Sequence, residues 1–519
     1  MAAKSIMVQG TASHVGKSIL VAALCRIFVQ DGYRVAPFKS QNMALNSFVT
    51  KDGGEMGRAQ VVQAEAAGIE PSVDMNPILL KPYGHASSQV IVLGRPIGNF
   101  SAQQYHNQYA PGSIEIINKA LNRLYDAYDL VVIEGAGSPA EVNLQDNEIV
   151  NMFIARTANA PVILIADVDK GGALAAVVGT LELIPPEDRK RVAGIIINKF
   201  RGDLNLFKPA VDFLEQKTGK PVLGVVPYFK DLRIQEEDTV PEDRSRAMLV
   251  EERGGWVDIA VVHLPHISNF TDFDPLEDEP DVKLRYVDSV NRLREPDLII
   301  LPGSKNTMED LTFLYRSGLA EQIVEFSRSG KPVIGICGGY QMLGKELFDT
   351  HQTVSKFPRI EGLGLLDITT VFSLEKVTNQ VEACLHGTGL LFKGLQDIKF
   401  TGYEIHMGKT ELEQGVSHAV NILRRSGQEM SFPDGAVSRD GLVCGTYVHG
   451  IFDDDCLRRH VINVLRQRKG LDPLSATGAI SVMEQRNRDF DKLAALVRNS
   501  VHMEQIYGLL GLEGCKKGR

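Results

Sequence analysis

The stretch Met7-Val8-Gln9-Gly10-Thr11-Ala12-Ser13-His14-Val15-Gly16-Lys17-Ser18 decides how the first half of the chain is read. The apolar run from Ser5 to Val8 predicts a β-strand, and Ile19 to Val29 predicts an apolar helix, with a glycine-rich turn between them. Strand, glycine loop and helix in that order build a phosphate-binding loop. Backbone N–H groups at a helix N-terminus point at phosphate oxygens, Lys17 reaches the terminal phosphates, and the Ser18 hydroxyl ligates Mg²⁺. The interval from Gly10 to Gly16 is one residue longer than the usual G-x-x-x-x-G-K-[ST] spacing. Gly10, Thr11, Gly16, Lys17 and Ser18 are therefore candidate nucleotide-binding residues, with an ordinary tight turn as the alternative.

At 519 residues the chain exceeds what one hydrophobic core serves, so two or more domains are expected. Its 44% apolar and 23% charged residues are those of an ordinary globular protein. A net charge of −9 with no basic block excludes a general nucleic-acid binder. No uninterrupted apolar run approaches membrane-span length, and a strand starting at Ser5 leaves no room for a signal peptide. The six cysteines, at 25, 337, 384, 444, 456 and 515, lack C-x-x-C spacing. They are expected as reduced thiols rather than disulfides or zinc ligands, which suits the cytoplasm.

Downstream, Tyr33 to Phe38 predicts a second strand ending in Lys39-Ser40-Gln41-Asn42, at the strand end where α/β sheets bind ligands. Asp52-Gly53-Gly54-Glu55-Met56-Gly57-Arg58 then leads into a helix through Gln60 to Ala67. Its glycines and carboxylates fit either a surface turn with a helix cap or a functional loop. A strand from Gln89 to Leu93, a loop from Asn107 to Pro111 and a helix from Ser113 to Tyr128 follow. In Leu130-Val131-Val132-Ile133-Glu134-Gly135-Ala136-Gly137, a buried strand ends in one carboxylate and a glycine turn. That is the position from which a strand-end acid holds or orients phosphate-bound Mg²⁺. Strands from Pro161 to Ala166, Val192 to Ile197 and Pro221 to Val226 complete the set. The second of these ends in Asn198-Lys199, a pair that resembles the base-recognition corner of P-loop nucleotide enzymes, where an Asn side chain can read a purine edge, so the resemblance makes Asn198 a candidate for the base. Strands alternating with helices predict a doubly wound parallel sheet over residues 1–230.

Gly10-Thr11, Ser13 and Val15-Gly16-Lys17-Ser18, with Glu134-Gly135-Ala136-Gly137, resemble the matching segments of dethiobiotin synthetase and its relatives. Those enzymes phosphorylate a carboxylate or carbamate with ATP. The resemblance implies ATP and Mg²⁺ as cofactors, the metal held by Ser18 and Glu134, with Asp52 as a further metal ligand. Plasmid-partition ATPases share that fold but carry a lysine where this chain has Ala12. The difference favours a small-molecule ligase.

Residues 231–255 are charged and weakly periodic and read as a linker. A second α/β pattern then begins, with strands from Asp258 to His263, from Asp297 into the turn at Gly303, and from Pro332 to Ile336. The last ends in Cys337-Gly338-Gly339-Tyr340-Gln341. A cysteine on a glycine-flanked strand-to-helix turn forms a nucleophile elbow, which exposes Sγ and offers backbone N–H groups to an oxyanion. Cys25, Cys384 and Cys444 read as core thiols. The base must come from far along the sequence. Of twelve histidines, His449 in Gly445-Thr446-Tyr447-Val448-His449-Gly450 is best placed. His263 and His266 are less well placed, and His406 is open between substrate contact and support of the fold.

The pattern G-x-C-G-G-x-Q resembles the glutaminase elbow of class I (triad) glutamine amidotransferases. Gly303, in Leu301-Pro302-Gly303-Ser304, matches the turn that with Gly338 supplies that family's oxyanion donors. Most of those enzymes have His-x-Glu, whereas the residue two past His449 is Ile451. The third member of the triad is missing at its usual place.

A dethiobiotin-synthetase-like domain at 1–230, fused to a triad domain at 256–456 without that Glu, resembles the cobyrinic-acid-amidating enzymes of cobalamin synthesis. Asp52 to Gln60, Met75-Asn76-Pro77, Leu80-Lys81-Pro82 and Ser304-Lys305-Asn306-Thr307 resemble the cobyric acid synthase family in particular. The resemblance implies glutamine as nitrogen donor and a corrinoid acceptor, adenosylcobyrinic acid a,c-diamide. Its b, d, e and g carboxylates would be amidated through acyl phosphates to give adenosylcobyric acid. The related a,c-diamide synthases share both domain types and are one alternative; a nucleotide-switch ATPase with a degenerate glutaminase domain is another. Residues 457–519, with helical periodicity, many arginines and a basic Cys515-Lys516-Lys517-Gly518-Arg519 end, read as a helical tail without assigned chemistry. Neither nucleic acid nor a membrane is expected as a partner. The oligomeric state stays open, a homo-oligomer included.

Overall fold

Strands buried on both faces need parallel neighbours, and the apolar runs of the first half supply them to one another. In the computed structural model, strands Val222–Pro227, Val192–Phe200, Val162–Asp167, Lys4–Gly10, Leu130–Glu134 and Val35–Phe38 lie side by side in that order. Every pairing among them is parallel. The structure describes residues 3–83, 87–143, 148–229, 232–235, 255–352, 355–386, 389–396, 398–475, 481–512 and 514. Most of the expected linker, Gly84 and the basic end from Cys515 lie outside the described residues. The chain divides into two compact units. One comprises Met1–Ala44, Met56–Glu237 and Met483–Arg519; the other comprises Leu45–Glu55 and Asp238–Val482.

In the first unit the register sets Val8 beside Glu134, Gly10 beside Ile165 and Asp167 beside Asn198. The C-terminal strand ends therefore finish level, with the phosphate-loop turn in their midst, as a doubly wound sheet requires of its ligand crevice. The helix Lys17–Gln30 buries Leu20, Val21, Leu24 and Phe28 against this sheet. Beside it runs a four-stranded sheet in the order Gln41–Met43, Ile78–Tyr83, Ser87–Val92, Arg95–Ser101. The stretch expected as loop from Asn107 to Pro111 is instead helical: a π-helical turn, Tyr105–Tyr109, runs into a 3₁₀ turn, Pro111–Ser113. The capping box of Ser101 and Gln104 starts that helical run one turn earlier, and Pro111 suits the start of the next.

The expected tail divides between the two units. Helices Val482–Ser500 and Met503–Leu510 complete the first unit, burying Phe490, Leu493, Val497, Ile506 and Tyr507 in the same core as Leu24 and Phe28. Arg498 pairs with Asp31 through two 3.0 Å hydrogen bonds, and Arg26 pairs with Asp491 at 2.8 Å. Helix Asp455–Arg468 belongs to the second unit, with Leu457, Val461, Ile462 and Leu465 in its core. Three of its arginines, Arg458, Arg459 and Arg466, are buried rather than solvated. Arg459 and Arg466 converge on Asp281, at 2.8 and 3.0 Å, while Arg458 reaches Glu279 at 2.7 Å.

The second unit carries strands in the order Val282–Val287, Val257–Val262, Leu298–Leu301, Val333–Ile336, Val443–Thr446 and Ala436–Val437, parallel except for the last. A second sheet is built on the long antiparallel pair Ile368–Leu385 and Lys399–Leu412. The pairing of Ile336 with Thr446, and of Tyr403 with His449, decides which residues meet past the strand ends. Among the described residues no helix is long and apolar enough to cross a membrane.

Candidate active sites

Gly16 opens the phosphate-loop helix at φ 98°, a left-handed conformation that favours glycine. Lys17 bends back over the loop, donating to the carbonyls of Ala12 at 2.9 Å and Gly137 at 3.0 Å. The Ser18 hydroxyl donates to Glu134 Oε1 at 2.8 Å, and Lys39 Nζ stands 3.0 Å from the same oxygen. Gln63 donates to Glu134 Oε2 at 2.5 Å and Gln60 at 3.4 Å, and Asn42 in turn donates to Gln60 at 3.0 Å. Burial alone would push Glu134 up; Lys39 and the bonds from Gln63 and Ser18 hold it below the usual carboxylate range. A buried, ionised acid beside a loop hydroxyl is an all-oxygen donor pair suited to a hard divalent cation.

Asn198 stands against the same loop, its amide donating to the Val15 carbonyl at 2.9 Å, where a side chain on Gly16 would collide with it. Lys199 binds the His14 carbonyl at 2.7 Å and Asp167 at 2.9 Å. Both residues of the pair therefore brace the loop backbone. Asp52 belongs to the segment packed with the second unit, is exposed, and accepts from the Thr50 hydroxyl. Ser18 and Glu134 belong to the first unit, and their shell there is Lys39, Gln60 and Gln63.

In the second unit Cys337 lies at φ 51°, ψ −107°, between strand Val333–Ile336 and helix Gly338–Met342. A non-glycine residue there is strained, as a nucleophile elbow requires. The glycines beside it are sterically required. A Cβ on Gly339 would strike the Leu301 carbonyl, and one on Gly338 would lie 2.9 Å from the Ser304 nitrogen. A Cβ on Gly303 would come within 3.1 Å of His449 Cε1. The Gly303 turn, the elbow and His449 thus converge. Cys25 and Cys444 are ordinary core thiols: burial raises both, Cys444 to about 12.

His449 is buried, and its Nδ1 lies 2.6 Å from Asp272 Oδ2; Asp272 Oδ1 also accepts from the Gly450 N–H at 3.2 Å. Burial opposes the imidazolium, but the Asp272 carboxylate and the neighbouring Cys337 override it and raise the ring to about 10. His406 lies flat on Tyr447, with ring centroids 3.8 Å apart, and bonds the Gly408 carbonyl at 3.2 Å. Gln341 is locked by Thr307, the Met407 carbonyl and Tyr447 at 3.0 to 3.1 Å. These residues stiffen the elbow's surroundings.

Both halves of this arrangement have known counterparts. Residues 6–241 match the CobQ/CobB/MinD/ParA nucleotide binding domain and residues 258–456 the CobB/CobQ-like glutamine amidotransferase domain. The cobyric acid synthase of Pelotomaculum thermopropionicum is 54% identical over 517 residues, covering 99% of this chain and 97% of the relative. The chain belongs to the cobyric acid synthase family. Further members of the cobyric acid synthase family, from Moorella thermoacetica and Desulfitobacterium hafniense, are 54% and 53% identical. Each aligns over 98% of both chains.

In this member of the cobyric acid synthase family, sequence reasoning missed Asp272, Gln60 and Gln63, and it placed Lys39 at a ligand-binding strand end without giving it a role. Asp272 stands in the 3₁₀ turn Phe270–Phe273, 177 positions before the histidine it holds. Lys39 had a usable signal, a cation at the C-terminal end of a parallel strand. Gln60 and Gln63 share a face of the helix Arg58–Ala66, but polar residues at that spacing usually face water.

Proposed function

We propose that the chain makes amides from carboxylates on a corrinoid, using ATP to activate the acid and glutamine to supply ammonia. The observation that carries this reading is the presence, on one polypeptide of this family, of an elbow cysteine with a histidine and carboxylate behind it, and of a phosphate loop facing a buried acid. Neither half is useful alone. Ammonia needs an activated electrophile, and a carboxylate resists amines until its oxygen becomes a leaving group.

At the elbow, with the Cys337 proton already resting on the His449 ring, Sγ attacks the glutamine carboxamide carbon, with the oxyanion held by the Gly303 and Gly338 N–H groups. The imidazolium protonates the departing nitrogen, which leaves as ammonia. Water, deprotonated by His449, then cleaves the thioester to glutamate and frees the thiol. Asp272 keeps the ring in the orientation and charge state that both transfers require.

At the phosphate loop, Lys17 and the loop N–H groups orient the ATP γ-phosphoryl group for attack by a substrate carboxylate oxygen, and Lys39 holds Glu134 ionised. Ser18 and Glu134 are the residues that would hold Mg²⁺, which supplies charge neutralisation at the phosphates when bound. The acyl phosphate and ADP form; ammonia attacks the acyl carbon, and phosphate leaves with the carbon–oxygen bond. The acceptor we assign is adenosylcobyrinic acid a,c-diamide, amidated at b, d, e and g to adenosylcobyric acid by a cytoplasmic enzyme.

The test is mass spectrometry of timed incubations with ATP, Mg²⁺ and glutamine. A ladder of partly amidated species from the a,c-diamide is expected. Two amidations of cobyrinic acid and none of the a,c-diamide would assign the a,c-diamide synthase reaction instead. Consumption of ATP and glutamine with no carbon–nitrogen bond on any corrin side arm overturns the reading.

A further inference from the structure

After Ala44 the chain leaves the first unit, and it returns at Met56; the residues between, Leu45–Glu55, are packed with the second unit. Their partners there are the neighbours of the Asp272–His449 pair. Asn46 Oδ1 accepts from the Asn269 N–H at 2.7 Å, and Asn269 Oδ1 accepts from the Ser47 N–H at 3.1 Å. Asn269 adopts φ 55° and opens the short turn in which its carbonyl accepts from the Asp272 N–H at 3.1 Å. Phe48 packs on Tyr403, with ring centroids 5.3 Å apart, and Tyr403 stacks on His449 at 5.1 Å with 12° between the planes. Along the rest of the excursion, Gln380 donates to the Val49 carbonyl, Thr378 to the Gly53 carbonyl at 2.9 Å, and Lys376 to the buried Glu55.

Its stems have a different address. Lys39 and Asn42 precede the excursion, and Gln60 and Gln63 follow it; Lys39, Gln60 and Gln63 bond Glu134 directly, and Asn42 does so through Gln60. A short segment that held only itself would not need reciprocal side-chain to backbone bonds at one end and two residues of the carboxylate's shell on either side.

We infer that Leu45–Glu55 is a positioning element of the glutaminase reaction: the Asn46–Asn269 pair holds the Asp272 turn, and Phe48 backs the Tyr403 ring against His449. Because its stems belong to the shell of Glu134, the excursion makes glutamine turnover respond to what the nucleotide site holds. This rests on the coupled reaction proposed above.

The experiment uses full-length Asn46→Ala and Phe48→Ala proteins, assayed for glutamate release and for corrinoid amidation with glutamine or with ammonium. The expected loss in glutamine kcat is on the order of 10²-fold, with KM little changed, the signature of a displaced catalytic ring rather than a damaged binding site. Ammonium-driven amidation is retained. ATP plus corrinoid raises glutamate release in the parent but no longer does so in the variants. Asn46→Asp keeps an acceptor for the Asn269 N–H and restores turnover. Parent-like glutamine kcat in both alanine variants overturns the inference. So does failure of Asn46→Asp to recover where Asn46→Ala has lost activity with both nitrogen sources. A parent that amidates no corrinoid from either source instead overturns the coupled reaction, and glutamate release in the variants still decides the role of the excursion.

Discussion

Replacing Asp272 by Asn removes a charge from behind His449 while keeping the side chain's size, so it isolates what the carboxylate does. The ring is fully buried, and burial by itself depresses an imidazole's pKa. The rise from 6.5 to about 10 therefore comes from Asp272, 2.6 Å away, together with the adjacent Cys337. A shift of that size corresponds to roughly 5 kcal/mol in favour of the protonated ring, a ceiling on what the surroundings contribute. Without the carboxylate, burial is less opposed, the pKa falls, and the ring loses its orienting acceptor. Glutamine-driven kcat should fall by about 10²- to 10⁴-fold, the usual worth of a positioned proton-transfer group. The alkaline limb of kcat/KM, set near pH 10 by deprotonation of the ring, should move down with the pKa. Stability follows the same sign. Because the folded pKa lies above 6.5, the pair's contribution is complete below pH 6.5 and is lost as pH rises through about 10. Glutamate release and urea denaturation across the neutral and alkaline range read both effects. An Asp272→Asn protein with parental kcat and an unmoved alkaline limb refutes the triad argued here.

Cys337→Ala should abolish glutamate release and glutamine-driven amidation while sparing amidation from ammonium; loss of both activities in a folded protein would make the cysteine structural. Lys17→Ala should lower amidation with either nitrogen source on the order of 10³-fold, since the lost cation stabilises transferring phosphoryl charge, and should leave the Cys337 thioester chemistry in place. Amidation unaffected by that change would remove the phosphate loop from the reaction. Leu493→Ala, in a helix whose buried face completes the first unit's core, should destabilise that unit by about 2–5 kcal/mol in denaturant unfolding. A neutral result would mean that the C-terminal helices are not needed by that core.

What could be read ahead of the structure was what the chain encodes contiguously. The phosphate loop and the cysteine elbow are each a strand, a turn and a helix start, so their geometry follows from neighbouring residues, and Lys17, Ser18, Glu134 and Cys337 were legible for that reason. His449 was legible because it lies three residues past a strand, Val443–Thr446, that pairs with the elbow's own. Its carboxylate was not. The place where an acid was sought, two residues on, holds the buried Ile451, and a carboxylate there would have to leave the core. The acid arrives instead from a turn whose direction depends on one left-handed asparagine, Asn269, and no periodicity announces such a turn. The arginines of helix Asp455–Arg468 were opaque in the same way: nothing in their spacing points to Asp281 and Glu279, which supply partners for Arg458, Arg459 and Arg466 from another strand's approach. The excursion at Leu45–Glu55 was the hardest to see, since its composition matches its surroundings and its partners lie between 222 and 355 positions away. Each hidden residue reaches a candidate site residue from a distant segment, and local pattern carries no record of which segments meet. The cysteine elbow and the phosphate loop could therefore be found from sequence, but the groups packed around them had to be found in space.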